Sequence, residues 1–163
     1  MSSIILGIDP GLAITGFGVL ESRGREDQKV LGYGAIRTPA GMSLPSRLME
    51  IRQELQTLLA QFKPDAVGVE KLYFGKNAKT AMAVGQARGV VLLTLSENNI
   101  PIYEYTPLQI KMALTGYGRA DKAQVQQLVQ QLLRLSEIPK PDDAADGLAI
   151  ALTAIMSEGI MNE

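Results

Sequence analysis

The sequence predicts an α/β fold built on a mixed five-stranded sheet. Three strand-like segments follow one another through short connections within residues 1–37, and later segments alternate between apolar runs and helical patterns. Short connections favour an antiparallel meander, whereas strand–helix alternation favours parallel crossovers. The 163 residues are enough for one domain with its own core. We therefore expect the order βββ-α-β-α-β-α-α in a single domain over residues 1–163, with the last few residues forming a frayed tail.

The strands are predicted from short β-branched runs that end at turn residues. The run at residues 4–8 stops at Asp9-Pro10-Gly11, and a polar hairpin at residues 21–29 separates the next two strands. The predicted strands are residues 4–8, 16–20, 30–37, 66–70 and 101–105. The first, fourth and fifth are apolar enough to be buried strands.

The helices are predicted from apolar spacing and from capping residues. Ser43 is a candidate N-cap for a helix whose apolar face includes Ile51 and Leu55. Residues 77–98 form a long apolar helical pattern. Asp121, with Gln in the capping-box position three residues later, starts another helix. A last helix opens at residue 142 or 143 and is apolar nearly all round, so we expect it to be buried.

Composition excludes several classes of protein. The chain has no His and no Cys, which excludes a Ser-His-Asp triad, a thiol nucleophile and His- or Cys-ligated metal sites. Any hydrolysis must use carboxylates, hydroxyls, amines or a hard metal ion. The apolar stretch at residues 148–156 is too short to span a bilayer, and the first residues lack a signal-peptide pattern. We expect a cytoplasmic protein.

Charge is unevenly distributed although the formal net charge is only −1. Residues 71–96 contain four basic and no acidic residues, and residues 141–163 contain five acidic and no basic residues. The pI of about 5.6 argues against a general nucleic-acid coat protein. It allows a local basic surface beside an acidic pocket, or simply a solvated helix face and an acidic tail.

Two predicted strands end in a carboxylate. If the strands that end at Asp9 and Glu70 are parallel neighbours, the two carboxylates lie side by side and repel each other. A divalent cation such as Mg²⁺ would relieve that repulsion. The alternative is that each residue is an ordinary turn former or cap.

Further acidic residues open the last helix. Asp143 and Asp146 are three residues apart and share a helix face, and Asp142 lies nearby. A cap explains Asp142 or Asp143, but it does not explain Asp146 on a buried helix without a base. Asp146 therefore needs a metal ion or a lysine from elsewhere. Four such carboxylates suit a two-metal phosphoryl-transfer site with ions roughly 3.5–4 Å apart.

The same residues carry a resemblance to the RuvC family of bacterial Holliday-junction resolvases, in order over about residues 3–155. The segments that carry it include Ile5-Leu6-Gly7-Ile8-Asp9-Pro10-Gly11, Thr15-Gly16-Phe17-Gly18-Val19, Val69-Glu70, Gly85-Gln86-Ala87-Arg88-Gly89 and Asp143-Ala144-Ala145-Asp146-Gly147. The resemblance implies a ribonuclease-H-like fold with helices on both faces of the sheet. It also implies a homodimer that makes paired nicks in two opposed strands of a four-way DNA junction during recombination and repair. The implied cofactors are two Mg²⁺ ions per site, which Mn²⁺ can replace. The implied partner is the RuvA–RuvB branch-migration complex.

The resemblance also implies roles for individual residues. The catalytic, metal-binding carboxylates would be Asp9, Glu70, Asp143 and Asp146. Lys111 and Lys122 would be catalytic residues near the scissile phosphate. The DNA-binding residues would be Tyr73, Phe74, Lys76, Lys111, Arg119 and Lys122. Either Tyr73 or Phe74 would stack at the junction centre, and the helix after residue 76 would supply much of the dimer interface. Asp143 keeps the Asp-x-x-Asp spacing, and a contribution from Asp142 is left open.

Three alternatives remain at this point. Actin-like ATPases and sugar kinases share a similar first phosphate loop, but they need a second half that 163 residues do not provide. The YqgF family shares the acidic pattern but generally lacks the Gln-Ala-Arg-Gly segment. A junction-binding scaffold without activity should have lost a carboxylate, and all four positions are acidic.

Overall fold

The computed structural model describes residues 1–71 and 78–159. Its elements are β1 (Ser3–Asp9), β2 (Ile14–Gly24), β3 (Asp27–Arg37), α1 (Leu44–Phe62), β4 (Ala66–Glu70), α2 (Ala78–Glu97), β5 (Ile102–Tyr105), α3 (Pro107–Thr115), α4 (Lys122–Leu132) and α5 (Asp142–Glu158). The predicted tail falls on residues 160–163, which lie outside the described residues.

The sheet is open and mixed, with strand order β3-β2-β1-β4-β5. Strands β1, β2 and β3 form the predicted antiparallel meander. Strand β4 is parallel to β1, and β5 is parallel to β4. The carboxyl ends of β1, β4 and β5 therefore lie at one edge of the sheet, where open α/β sheets place their ligand sites.

Helices cover both faces of the sheet. On one face, Leu6 and Val67 belong to a buried cluster with residues of α1 and α2, such as Ile51 and Val91. On the other face, Ile5 and its neighbours pack against α3, α4 and α5. The prediction of a mixed five-stranded sheet with helices on both faces is confirmed.

The predicted helix starts are confirmed at their caps. The Ser43 hydroxyl accepts a hydrogen bond from the Ser46 N–H at the start of α1, with Pro45 in the first turn. At α4 a complete capping box joins Asp121 and Gln124. Helix α5 begins at Asp142 and is buried along most of its length, as its all-round apolar pattern predicts.

Helix α3 was not predicted. It has only nine residues, and its apolar positions are too few to show a clear helical period. A signal was present in the Thr106-Pro107-Leu108-Gln109 segment. Thr106 and Gln109 form a capping box, and Pro107 occupies the first turn.

Two strand predictions need correction. The hairpin predicted at residues 21–29 is a tight turn at residues 25–26, because β2 and β3 continue through the polar segment and pair Glu21 with Lys29. Strand β5 was expected to be buried, but it is an edge strand in which only Tyr105 is buried. Within the described residues, none of the helices combines the length and hydropathy needed to cross a bilayer.

Candidate active site

Asp9 and Glu70 lie next to each other at the carboxyl edge of the sheet. Strands β1 and β4 are parallel, and their register pairs Ile8 with Val69, so the following residues of both strands are neighbours. The two strands are parallel neighbours, which is the arrangement that places Asp9 and Glu70 side by side.

Helix α5 approaches this edge unusually closely because glycines line the contact. A Cβ at Gly16 of β2 would lie 1.9 Å from the Asp143 carbonyl oxygen. A Cβ at Gly147 would lie 2.4 Å from the carbonyl carbon of Phe17. No side chain fits at either position. The absence of these side chains is what brings the first turns of α5, with their acidic residues, onto the end of β1.

The acidic residues form one cluster. Carboxylate oxygens of Asp9, Asp143 and Asp146 all lie within 4.8 Å of one another. Glu70 is outside that group of three, but its side chain lies close enough to Asp9 for a shared proton to raise the pKa of Asp9. The structure therefore brings the four predicted carboxylates together, and it places Asp142 on the exposed side with 63% of its side chain accessible.

Crowding and burial make it costly to ionise this cluster. Burial, followed by a hydrogen bond and the charge of Glu70, raises the pKa of Asp9 to about 8. Burial, followed by the charge of Asp9, raises the pKa of Asp146 to about 7. Burial also raises the pKa of Glu70. Full ionisation near neutral pH therefore requires a nearby positive charge.

Lysines supply part of that charge. Lys111 and Lys122 line a cavity of about 270 Å³ together with Glu70 and Asp146. The Lys122 ammonium lies 3.7 Å from a carboxylate oxygen of Asp146 and also 3.7 Å from one of Asp142. Burial lowers the pKa of Lys122, but these carboxylates outweigh it and the net pKa is raised. Asp146 was expected to need a metal ion or a lysine from elsewhere, and Lys122 of α4 lies within ion-pair distance of it.

The residues fit a hard divalent ion. Carboxylate oxygens are the ligands that Mg²⁺ and Mn²⁺ prefer. Burial first, and then the neighbouring carboxylates, keep the pKa values of Asp9 and Asp146 raised although Lys122 lies nearby, so a bound cation would favour their ionised forms. A cation held here would lie beside a cavity whose lysines can contact phosphate oxygens.

The remaining predicted residues are placed less directly. Arg119 is exposed in the turn between α3 and α4, and it does not line the lysine cavity. Tyr73, Phe74 and Lys76 lie outside the described residues.

Sequence reasoning missed Arg88 as a neighbour of this cluster. Its guanidinium donates to the carbonyl oxygen of Glu70 at 3.4 Å and pairs with Glu104. A signal existed, because Arg88 shares the inward face of α2 with the buried Val91 and Leu95. A charged residue on such a face needs a buried partner.

The comparisons with known proteins agree with this geometry. A family model described as "Crossover junction endodeoxyribonuclease RuvC" matches residues 5–154. Two curated relatives of that name are 52% identical over 153 residues, in Caldicellulosiruptor saccharolyticus, and 54% identical over 149 residues, in Brevibacillus brevis. These alignments cover 94% and 91% of this chain and 92% and 89% of the relatives.

A solved structure also resembles this fold along almost its whole length. Thermus thermophilus RuvC in complex with a Holliday junction substrate superposes with a TM-score of 0.90 at 36% identity. The superposition covers 96% of this chain and 94% of that one. Together these matches decide against the actin-like and YqgF alternatives. The chain belongs to the RuvC family of crossover junction endodeoxyribonucleases.

Proposed function

We propose that this protein is a Mg²⁺-dependent nuclease that resolves four-way DNA junctions by paired nicks in two opposed strands, in DNA recombination and repair. The observation that carries the proposal is the carboxylate cluster at the carboxyl edge of the sheet, with two lysines beside it. The solved Thermus relative was captured with a Holliday junction substrate, which supports the substrate class. In this proposal residues 1–163 act as one nuclease domain.

Asp9, Glu70, Asp143 and Asp146 are proposed to hold two Mg²⁺ ions, with Mn²⁺ able to replace them. When bound, these ions would activate water and offset charge on the scissile phosphate and the leaving oxygen. The carboxylates' own part is to give up their protons as the cations bind, since burial, followed by the neighbouring carboxylates, raises the pKa of Asp9 to about 8 and of Asp146 to about 7.

Lys111 and Lys122 are proposed to contact the phosphate that reacts. Lys111 of α3 and Lys122 of α4 line the cavity together with Glu70 of β4 and Asp146 of α5. A positive charge placed there before the reaction stabilises the extra negative charge that develops on the phosphate. Arg119, exposed between these two lysines in the sequence, is proposed to bind the DNA backbone farther out.

Symmetric cutting requires two copies of the site, and helix α2 offers a surface for a second copy. Met82, Gln86, Gly89 and Leu93 form an exposed stripe along its outer side. Met82 is 71% exposed and Leu93 is 56% exposed. We propose that this stripe packs against its equivalent in a twofold dimer, which can present one site to each of two opposed strands.

Stacking of Tyr73 or Phe74 at the junction centre and DNA contact by Lys76 remain predictions. So do a cytoplasmic location and a partnership with the RuvA–RuvB complex.

The test is cleavage of a synthetic four-way junction with a mobile core, with each strand labelled in turn and a linear duplex as control. Paired nicks in opposed strands that require Mg²⁺ are expected. Binding without cleavage in either Mg²⁺ or Mn²⁺ would favour a junction-binding scaffold. Equal cutting of the linear duplex would keep the nuclease but reject the junction as its substrate.

A further inference from the structure

A second cavity lies beside Glu70, and Arg88 lines it. This cavity, of about 270 Å³, is bounded by Asp9, Glu70, Lys71 and Arg88 among others, whereas Lys111 and Lys122 line a separate one. The carboxylate cluster therefore has Lys111 and Lys122 on one side and Arg88, with Lys71, on the other. Arg88 belongs to α2, on the opposite face of the sheet from α4 and its lysine.

The contacts of Arg88 tie three elements together. From α2, its Nε donates to the carbonyl oxygen of Glu70 at the end of β4, at 3.4 Å. Its Nη2 lies 2.5 Å from Oε1 of Glu104 in β5. The Arg88 side chain is 18% exposed and the Glu104 side chain is 35% exposed, so solvent reaches this pair mainly from the Glu104 side. Lys71 follows Glu70 in the chain, and its backbone N–H donates to the carbonyl oxygen of Tyr105 in β5 at 2.7 Å.

These contacts lie at the carboxyl end of β4, where the last residue of the strand is the proposed metal ligand Glu70. The β4–β5 ladder pairs Val69 with Glu104 and Glu70 with Tyr105, so Arg88 lies across the last register positions of both strands. A planar guanidinium can satisfy a carbonyl and a carboxylate at once in a fixed geometry. Fixing the Glu70 carbonyl restricts the backbone from which the Glu70 side chain reaches Asp9.

We propose that Arg88 is a positioning residue, which together with Glu104 holds the carboxyl end of β4 so that Glu70 faces the metal site. The inference rests on the proposed metal-dependent function. Groups that orient a ligand without touching the metal commonly alter metal affinity by 10–100-fold when they are removed. The same is expected of Arg88.

A simple charge effect predicts the opposite sign. If Arg88 acted only through its positive charge, then removing it would strengthen cation binding by the carboxylate cluster. If it positions Glu70, then removing it weakens cation binding. The direction of the change therefore separates the two roles.

The experiment measures Mn²⁺ binding to the full chain by electron paramagnetic resonance of the free ion, with no DNA present. For Arg88→Gln we expect an affinity lower by about 10-fold. Arg88→Lys keeps the charge but not the forked geometry, so it should also bind Mn²⁺ more weakly. Glu104→Gln keeps an acceptor oxygen and should show a smaller loss in the same direction.

A matched control is the ion pair at the other end of α2. There Glu97 of α2 pairs with Arg52 of α1 at 2.7 Å. Arg52→Gln removes an ion pair of α2 without touching β4, so its Mn²⁺ affinity should equal that of the wild type. Cleavage of the junction by Arg88→Gln should recover as Mg²⁺ is raised to saturation, which a general folding defect would not allow.

Two results would overturn the inference while leaving the proposed function intact. One is unchanged or tighter Mn²⁺ binding by Arg88→Gln when the wild type binds Mn²⁺. The other is an equal loss of affinity in Arg52→Gln. A wild-type protein that binds no Mn²⁺ at all would instead reject the proposed function, and this inference with it.

Discussion

Helices α2 and α5 are both rich in Ala, Leu and other apolar residues, yet the fold uses them differently. Helix α5 is buried on nearly every side from Ala144 to Ile155. Helix α2 buries Ala87, Val91 and Leu95 and leaves a stripe that includes Leu93 exposed. The difference lies in the partner surface, because glycines on β1 and β2 allow the sheet to receive α5 at close range.

The two helices contribute to different functions, α5 to the proposed metal site and α2 to the proposed dimer contact. The close contact of α5 brings Asp143 and Asp146 to Asp9, so the precision of the proposed metal site depends on backbone packing. The outer stripe of α2 has no covering element in the described part of the chain, and an apolar stripe of that kind fits a contact with a second copy. An all-round apolar helix can therefore indicate either a buried helix or an incomplete interface.

The largest expected effect comes from the acidic residues of α5. Asp146→Asn should lower junction cleavage by more than the roughly 100-fold expected for loss of an outer partner of a metal ligand. Junction binding should change little, because Lys111 and Arg119 are untouched. Single-turnover cleavage and fluorescence anisotropy measure the two quantities.

Asp142→Asn is the matched control for that variant. Asp142 lies at the same distance from Lys122 as Asp146 does, but it is exposed and outside the group of clustered carboxylates. It should retain near-normal cleavage. Equal activity in Asp146→Asn and Asp142→Asn would reject the metal-site assignment.

The next effect is on the contact between α5 and the sheet. Gly147→Ala places a methyl group 2.4 Å from the Phe17 backbone, where no flexible side chain can yield. We expect a loss of at least about 1–3 kcal/mol in the free energy of unfolding, measured by urea denaturation. Cleavage by the folded fraction should also require more Mg²⁺, since α5 carries two of the carboxylates. Wild-type stability in this variant would show that α5 can move away from the sheet at no cost.

A pH effect on the metal-free protein follows from the same cluster. Folding raises the pKa of Asp9 to about 8 and of Asp146 to about 7, above the ordinary value of 3.8. The folded state therefore binds more protons than the unfolded state between about pH 4 and 8, and stability is lost as the pH rises through that range. One unit of raised pKa corresponds to about 1.4 kcal/mol, so shifts of this size are expected to cost several kcal/mol of stability across this range.

Thermal unfolding across pH, with and without Mg²⁺, measures this loss. Mg²⁺ should stabilise the protein most at high pH, where the carboxylates are ionised. Asp9→Asn should flatten the pH dependence of the metal-free protein. Stability that instead rose with pH over this range would contradict the raised pKa values.

Much of this fold is predictable from local sequence patterns. The strand ends at Asp9 and Glu70 and the cap at Asp121 are visible because each depends on residues a few positions apart. Helix α3 was missed because nine residues show too little periodicity, although its capping box was readable. The long β2–β3 ribbon was missed because cross-strand pairs, and not the local polarity, extend it.

The site was predictable in its residue types but not in its distances. Nothing local in the sequence shows that Gly16 lies against Asp143, since the contact joins residues far apart in the chain. The Arg88–Glu104 pair is hidden for the same reason, because it depends on the register between β4 and β5. Such contacts arise only when the sheet and its helices pack together.

The α2 side of the comparison can be tested by placing charge on its stripe. Leu93→Glu puts a carboxylate at a position that is 56% exposed in the single chain, so the fold should tolerate it. In a twofold interface the two carboxylates would approach each other, and we expect dimer affinity to fall by at least about 10-fold. Analytical ultracentrifugation measures this, and paired nicking should fall with it. A variant that stays dimeric at the same concentrations would move the interface elsewhere.

The smallest expected effect is at Gly89, a glycine that lies on the exposed stripe of α2. A Cβ at Gly89 meets no atom within 4 Å, in contrast to Gly147, and glycine inside a helix costs about 1 kcal/mol relative to alanine. In the Leu93→Glu background, at a concentration where that variant is monomeric, Gly89→Ala should therefore raise the free energy of unfolding by about 1 kcal/mol. In the wild-type background the added methyl group would lie within the proposed dimer contact, so part of that gain should be lost. The difference is measured by urea denaturation of the wild type, the two single variants and the double variant. An equal gain in both backgrounds would place Gly89 outside the dimer contact.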